Sequence, residues 1–142
     1  MRFLRVFFLS AVSIVVVTSA AFAQRAPGFG FDYLRAEQVA GQKLFDDHCA
    51  ICHTLKRGQP FLFGPSLNGV VGRPAGSLAG FPYSDALKKS GLVWTEDNLR
   101  KWIADSARTI PNTLMAHVSI SDPAEQIYLI EYLKTLKGQA AR

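Results

Sequence analysis

Cysteine and methionine are scarce in this chain, and neither sign of charge dominates it; each shortage excludes something. Only two cysteines occur, Cys49 and Cys52, so no disulfide framework spans the chain and its stability must come from elsewhere. The net charge is +5, with basic residues dispersed as Lys56-Arg57, Lys88-Lys89 and Arg100-Lys101. Such a modest, scattered excess suits a solvated surface and argues against a nucleic-acid site. Internal repeats and low-complexity tracts are absent. Regular periodicity is missing from the middle: between Gly58 and Gly91 lie seven of the eleven glycines and four of the seven prolines, with no sustained period of 2 or 3.6. So long an irregular stretch speaks against a compact fold unless something other than side chains supplies the core.

Only one long apolar run occurs, and it lies at the start. Arg2 and Arg5 precede Val6 to Val17, which is apolar apart from Ser10 and Ser13, and Ala21-Phe22-Ala23 has the small-x-small form of a signal-peptidase site. Residues 1–23 are therefore expected to be a signal peptide, exporting the chain to a bacterial periplasm. The alternative is an uncleaved anchor at the periplasmic face of the inner membrane, because Val6 to Ala23 is 18 residues without a charge and borders the minimum span. Cleavage leaves 119 residues with 14 basic and 11 acidic side chains, a charge of +3 and length for one domain. Residues 24–36 then form an N-terminal extension and 37–138 the domain.

Cys49-Ala50-Ile51-Cys52-His53 is the informative motif. Cys-x-x-Cys-His is the signature of covalent c-type haem attachment: two thiols add across the vinyl groups of one porphyrin, and the adjacent imidazole reaches the iron. A thioredoxin-like redox pair needs a strand-to-helix turn within a βαβ pattern, and no such strand pattern precedes Cys49. A zinc site from Cys49, Cys52, His53 and His117 is a second rival, poorly matched to the usual paired spacing. A plain disulfide between the two cysteines closes too small a ring to constrain much chain. Haem c, one per chain and bound through Cys49 and Cys52, is the cofactor expected.

Three amphipathic helices flank the irregular middle. The first is predicted from about Arg35 to His48, after a loose segment from Gln24 to about Tyr33, with Gly41, Leu44, Phe45 and His48 on one stripe. Another starts after Thr95 with Glu96 and Asp97 in its first turn, and carries Leu99, Trp102 and Ile103. The last is announced by Asp122-Pro123-x-Glu125, a capping Asp followed by Pro at the first helical position. It is predicted to run to Lys137 and stop at Gly138, with Leu129, Tyr132, Leu133 and Leu136 as its stripe. A large flat haem then serves as the core that the middle wraps around.

Iron bound by His53 needs a sixth ligand or an open site. Beyond Met1, Met115 is the only methionine, in a loop after Pro111 and far from His53 in sequence, so it is the expected ligand. His117 competes for that role. His48, beside Cys49, is expected to be a helix-surface or packing residue.

At this point the chain resembles class I cytochrome c, close to its mitochondrial members and their bacterial relatives. The resemblance runs from about residue 37 to 137 through GQKLFDDHCAICHTL, GPSLNGVVGRPAG, GFPYSDALKKSGLVW, IPNTLM and LIEYLKTLKG, in family order. It implies an all-α fold in which the N- and C-terminal helices cross and loops wrap one covalently bound haem. Gly41 and Phe45 are then set against Leu129 and Tyr132, the glycine allowing close approach. The resemblance also implies that Pro65 offers its carbonyl to His53. Tyr83 and Trp94 are implied to donate to a buried haem propionate whose charge Arg73 offsets, with Thr113 a further polar contact and Leu67 and Leu133 packed on the porphyrin.

The chain also departs from the family. Leu87 stands where the family has a crevice asparagine, and Trp102 where it has a tyrosine whose hydroxyl reaches the methionine sulfur; an indole N–H can replace that donor. Several lysines that ring the haem edge in the mitochondrial relative are here His48, Leu62, Ala107 and Leu114, while Lys43 and Arg108 remain. The function implied is a one-electron carrier, not an enzyme, expected to be monomeric and to meet a membrane oxidoreductase or periplasmic dehydrogenase as donor and acceptor. It would touch the membrane only if the leader is retained. Two other functions stay open: a haem sensor or peroxidase-like protein in which Met115 lets go, and a tethered subunit of an oxidoreductase complex.

Overall fold

The computed structural model describes residues 29–56, 58–115 and 118–136, with side chains from residue 32 onward. Five helices and no extended strand occur among them: α1 (Phe29–His48), α2 (Asp85–Lys89), α3 (Glu96–Ala104), α4 (Ser106–Thr109) and α5 (Pro123–Thr135). None is long and apolar enough to cross a membrane, and residues 1–23, expected to be a signal peptide, and Gln24 to Gly28 lie outside the described residues.

α1 begins at Phe29, not near Arg35, so the segment predicted to be loose as far as Tyr33 is helical over its second half. Periodicity missed it because an apolar stripe appears only where a helix meets a neighbour, and Tyr33 and Leu34 are exposed. No proline interrupts the chain between Pro27 and Pro60, and Asp32 sits in the first turn, where negative charge suits the helix dipole. At the other end the motif continues the coil as turns: Cys49 N donates to the Phe45 carbonyl at 2.8 Å and His53 N to that of Cys49 at 2.9 Å.

α3 starts where predicted, the Thr95 hydroxyl accepting from Asn98 N at 3.2 Å. Asp122 caps α5 by accepting from Ala124 N at 2.7 Å. α5 ends at Thr135 with Leu136 as its cap; Lys137 and the stop expected at Gly138 lie outside the described residues. Neither α2 nor α4 was predicted. Both are shorter than an apolar period can reveal, and capping by Ser84 and Asp105 starts them.

α1 packs across α5 through Gly41. A Cβ there would lie 2.0 Å from the Tyr128 carbonyl oxygen and 2.7 Å from Tyr132 Cβ, so only hydrogen permits this approach. Phe45 meets Tyr132 one turn on, ring centroids 6.3 Å apart, and Leu129 is 1% exposed beneath. Lys134 ties α5 to α3 by bonding Glu96 at 2.9 Å. The glycine-rich middle is pinned at both ends. Leu67 N donates to the Thr54 carbonyl, while Gly72, Ala75 and Trp94 exchange backbone bonds of 2.8–2.9 Å across the 72–75 and 92–94 segments.

Candidate functional site

Between these helices and loops lies a cavity of about 610 Å³. Cys49, Cys52, His53 and Met115 all line it, although Met115 comes from the loop between α4 and α5 and the other three from the end of α1. Much of the rest of the wall is apolar, including Leu67, Val70, Leu87, Leu99, Ile103, Leu129 and Leu133. A pocket of this size and character suits a flat apolar ligand.

His53 is buried and its ring is held on two sides. Its Nδ1 lies 2.7 Å from the Pro65 carbonyl oxygen, which can only accept, so Nδ1 carries the proton and Nε2 keeps its lone pair. Gly64 packs on the ring: a Cβ at that position would lie 2.4 Å from Cε1 and 2.6 Å from Nδ1. Gly64 N donates to the Cys52 carbonyl at 2.8 Å, so the strap is closed from both sides of the motif. Burial lowers the His53 pKa, with the Pro65 bond opposing, which favours the neutral ring. Cys49 is pushed up to about 11, by burial first and then by Cys52. Cys49 and Cys52 form no disulfide with one another.

The Met115 loop is held by side chains from α4 and from the loop itself. The buried Ser106 hydroxyl donates to the Met115 carbonyl, and Thr113 Oγ1 accepts from Met115 N at 3.4 Å. Asn112 turns the chain with φ 64°, a conformation that asparagine tolerates better than most residues. Thr113 lines the cavity. His117 lies outside the described residues, so neither the competing axial role nor the four-ligand zinc alternative can be placed; among the described residues no cluster of three metal-ligating side chains occurs.

Arg73, Tyr83 and Trp94 line one cavity wall. Arg73 and Trp94 are neighbours because Trp94 N donates to the Arg73 carbonyl at 2.9 Å. The Arg73 guanidinium donates to the Asn68 and Ser66 carbonyls at 3.1 and 3.0 Å, and no carboxylate among the described residues pairs with it. Burial lowers its pKa, and burial raises that of Tyr83, each partly opposed by the other. The Trp94 and Trp102 rings lie 5.2 Å apart, and neither indole N–H has a partner among the described residues.

These features fit haem c. Two thiols adjoin an imidazole with a free Nε2, a thioether faces the same space, and a half-buried cation and indole donors wait for an acidic group. Cys49, Cys52, His53, Met115, Arg73, Tyr83 and Trp94, singled out from the sequence, all line this one cavity. Sequence reasoning missed Gly64, whose constraint is the nearness of a side chain eleven positions earlier, and Ser106, which lies on the unpredicted α4. Leu87 and Trp102, the two departures noted above, are both buried and both line the cavity.

A family model described as Cytochrome c matches residues 38–137. The chain is 44% identical over 101 residues to cytochrome c2 of Rhodopila globiformis, covering 71% of this chain and 94% of that one. To cytochrome c of Arabidopsis thaliana it is 39% identical over 101 residues, 71% of this chain and 90% of that one. Among solved structures it is similar to cytochrome cH from Methylobacterium extorquens, with a TM-score of 0.63 and 43% identity over 69% of this chain and 97% of that one.

Proposed function

Since this chain belongs to the cytochrome c family, and is an electron carrier with covalent haem c rather than an enzyme, we propose that His53 and Met115 are its two axial ligands and that it shuttles single electrons between exported redox proteins. One observation carries the ligand assignment: Cys49, Cys52, His53 and Met115 share one cavity wall system despite the 62 positions between the two proposed ligands. When bound, the haem supplies one reversible electron at its iron.

The protein's part is to hold and to shield. Pro65 and Gly64 keep the His53 ring in one tautomer and one orientation, so Nε2 needs no rearrangement between oxidation states. Ser106 and Thr113 hold the Met115 backbone from either side. Arg73 offsets a propionate, with Tyr83 and Trp94 as neighbouring donors, since a buried carboxylate needs both charge and hydrogen bonds. Leu87 and Trp102 add apolar bulk that keeps water out, and a dry His/Met pocket favours a relatively high potential.

Met115→Ala should open the iron to added imidazole or cyanide and lower the potential, because a thioether favours the ferrous state. Should His117→Ala change the wild-type spectrum while Met115→Ala does not, the axial assignment is wrong and the sensor or peroxidase-like reading takes its place. Export to the periplasm and cleavage after Ala23 are supported by the leader pattern. A mature protein that still begins at Met1 would instead mark a tethered subunit.

A further inference from the structure

Of the residues that line the cavity, four are exposed: His48, Ile51, Phe63 and Leu114. They come from the end of α1, the turn between the two cysteines, the loop before Gly64 and the loop before Met115. The first two lie three residues apart and the others come from elsewhere in the chain; all four line one cavity yet remain exposed, which puts them at its mouth. Ile51 is 79% exposed, Phe63 87% and Leu114 74%. Single exposed apolar residues are ordinary, but three around one functional opening form a patch. Leu62, for which the sequence predicted a place at the haem edge, is exposed but does not line the cavity.

No Lys, Arg, Asp or Glu is among the four. Acidic residues lie near both rim cations that the sequence retains, and of the two only Lys43 is ion-paired among the described residues. Lys43 pairs with Asp47 at 2.7 Å, with Asp46 beside it on α1, and Arg108 shares its turn with Asp105, whose carboxylate accepts from Arg108 N at 2.9 Å. The four residues themselves offer no charge to an oppositely charged partner, whereas exposed Ile, Phe and Leu gain from shedding water.

We propose that this mouth docks a redox protein whose own electron-exit face is apolar and uncharged, so that encounter is driven by desolvation rather than by opposite charge. The proposal rests on the carrier reading above. The step it serves would move one electron and nothing else: the haem, when bound, would give or take one electron and the partner's redox centre would take or give it, with no bond or proton changed. A small patch is enough, because brief redox encounters bury little area.

A second copy of the haem-loaded protein is a defined partner, since it presents the same apolar face. Electron self-exchange between reduced and oxidised copies, measured by NMR, has no driving force whatever the potential, so substitutions report on encounter and not on redox energy. We expect the rate to change by less than about threefold while salt shortens the Debye length from about 30 to below 10 Å. Phe63→Gln and Leu114→Gln, which alter no charge, should each slow exchange about tenfold, because both copies lose apolar contact. Lys89→Ala, on the exposed side of α2, should leave it unchanged. A steep salt dependence, or Lys43→Ala and Arg108→Ala moving the rate more than the Gln substitutions, overturns the proposal in favour of docking by charge. A protein that ascorbate cannot reduce and ferricyanide cannot reoxidise overturns the carrier reading itself, a separate outcome visible before any exchange is measured.

Discussion

Gly64 and Ser106 show how much of the site rests on residues that touch no iron. A methyl group at position 64 would lie 2.4 Å from the His53 ring, with the backbone bond from Gly64 N to Cys52 O preventing simple retreat. Gly64→Ala should therefore tilt the imidazole and destabilise the haem-loaded protein by about 1–3 kcal/mol, read from guanidinium unfolding, with a changed ferric spectrum as the sign that the ring moved. Ser106→Ala is gentler. It leaves the Met115 carbonyl, which accepts from the buried Ser106 hydroxyl, without that partner, a loss of roughly 1–3 kcal/mol. Since the loss falls on the loop of the proposed ligand Met115, imidazole should bind at concentrations about 5- to 150-fold lower than in the wild type. An unchanged imidazole titration would mean that Ser106 stabilises α4 alone.

Among the elements, the α1–α5 crossing carries the largest single constraint. At position 41 the obstacle is a backbone carbonyl 2.0 Å away, which cannot swing aside as a side chain can. Gly41→Ala should cost at least about 3 kcal/mol, the upper range for overpacking, although alanine is the better helix former. A mutant as stable as the wild type would show that the helices can separate freely. Asp122→Ala removes only the cap on Ala124 N and should cost about 1 kcal/mol, so the two substitutions separate packing from helix initiation.

For the molecule as a whole, the haem is a structural member. Without it, the mostly apolar wall of a cavity of about 610 Å³ would face water instead of a flat apolar ligand, a heavy loss against the roughly 5–15 kcal/mol net stability of an ordinary domain. The irregular stretch from Gly58 to Gly91 then has nothing to wrap. Cys49→Ala/Cys52→Ala protein should lose its covalent haem by intact mass and show little helix by circular dichroism. Wild-type chain from a host that attaches c-type haem should keep both; finding it at its apoprotein mass would contradict covalent attachment.

Local chemistry was legible in the sequence because local spacing generates it. Cys49, Cys52 and His53 act over one turn, Asp122-Pro123 and Thr95 begin their helices by bonds to residues two or three ahead, and Met115 stood out by counting. The resemblance added Pro65, Arg73, Tyr83 and Trp94 as pocket residues. What tertiary structure alone decided depends on closure between distant segments: the nearness of Gly64 to His53, the bond from Ser106 to Met115, and the meeting of Ile51, Phe63 and Leu114 at one mouth. The pairing of Lys43 with Asp47 is local, yet its effect on the rim appears only once α1 is seen to end there. No period or spacing encodes such juxtapositions, because they arise from loops folding over a shared apolar space rather than from repetition along one element.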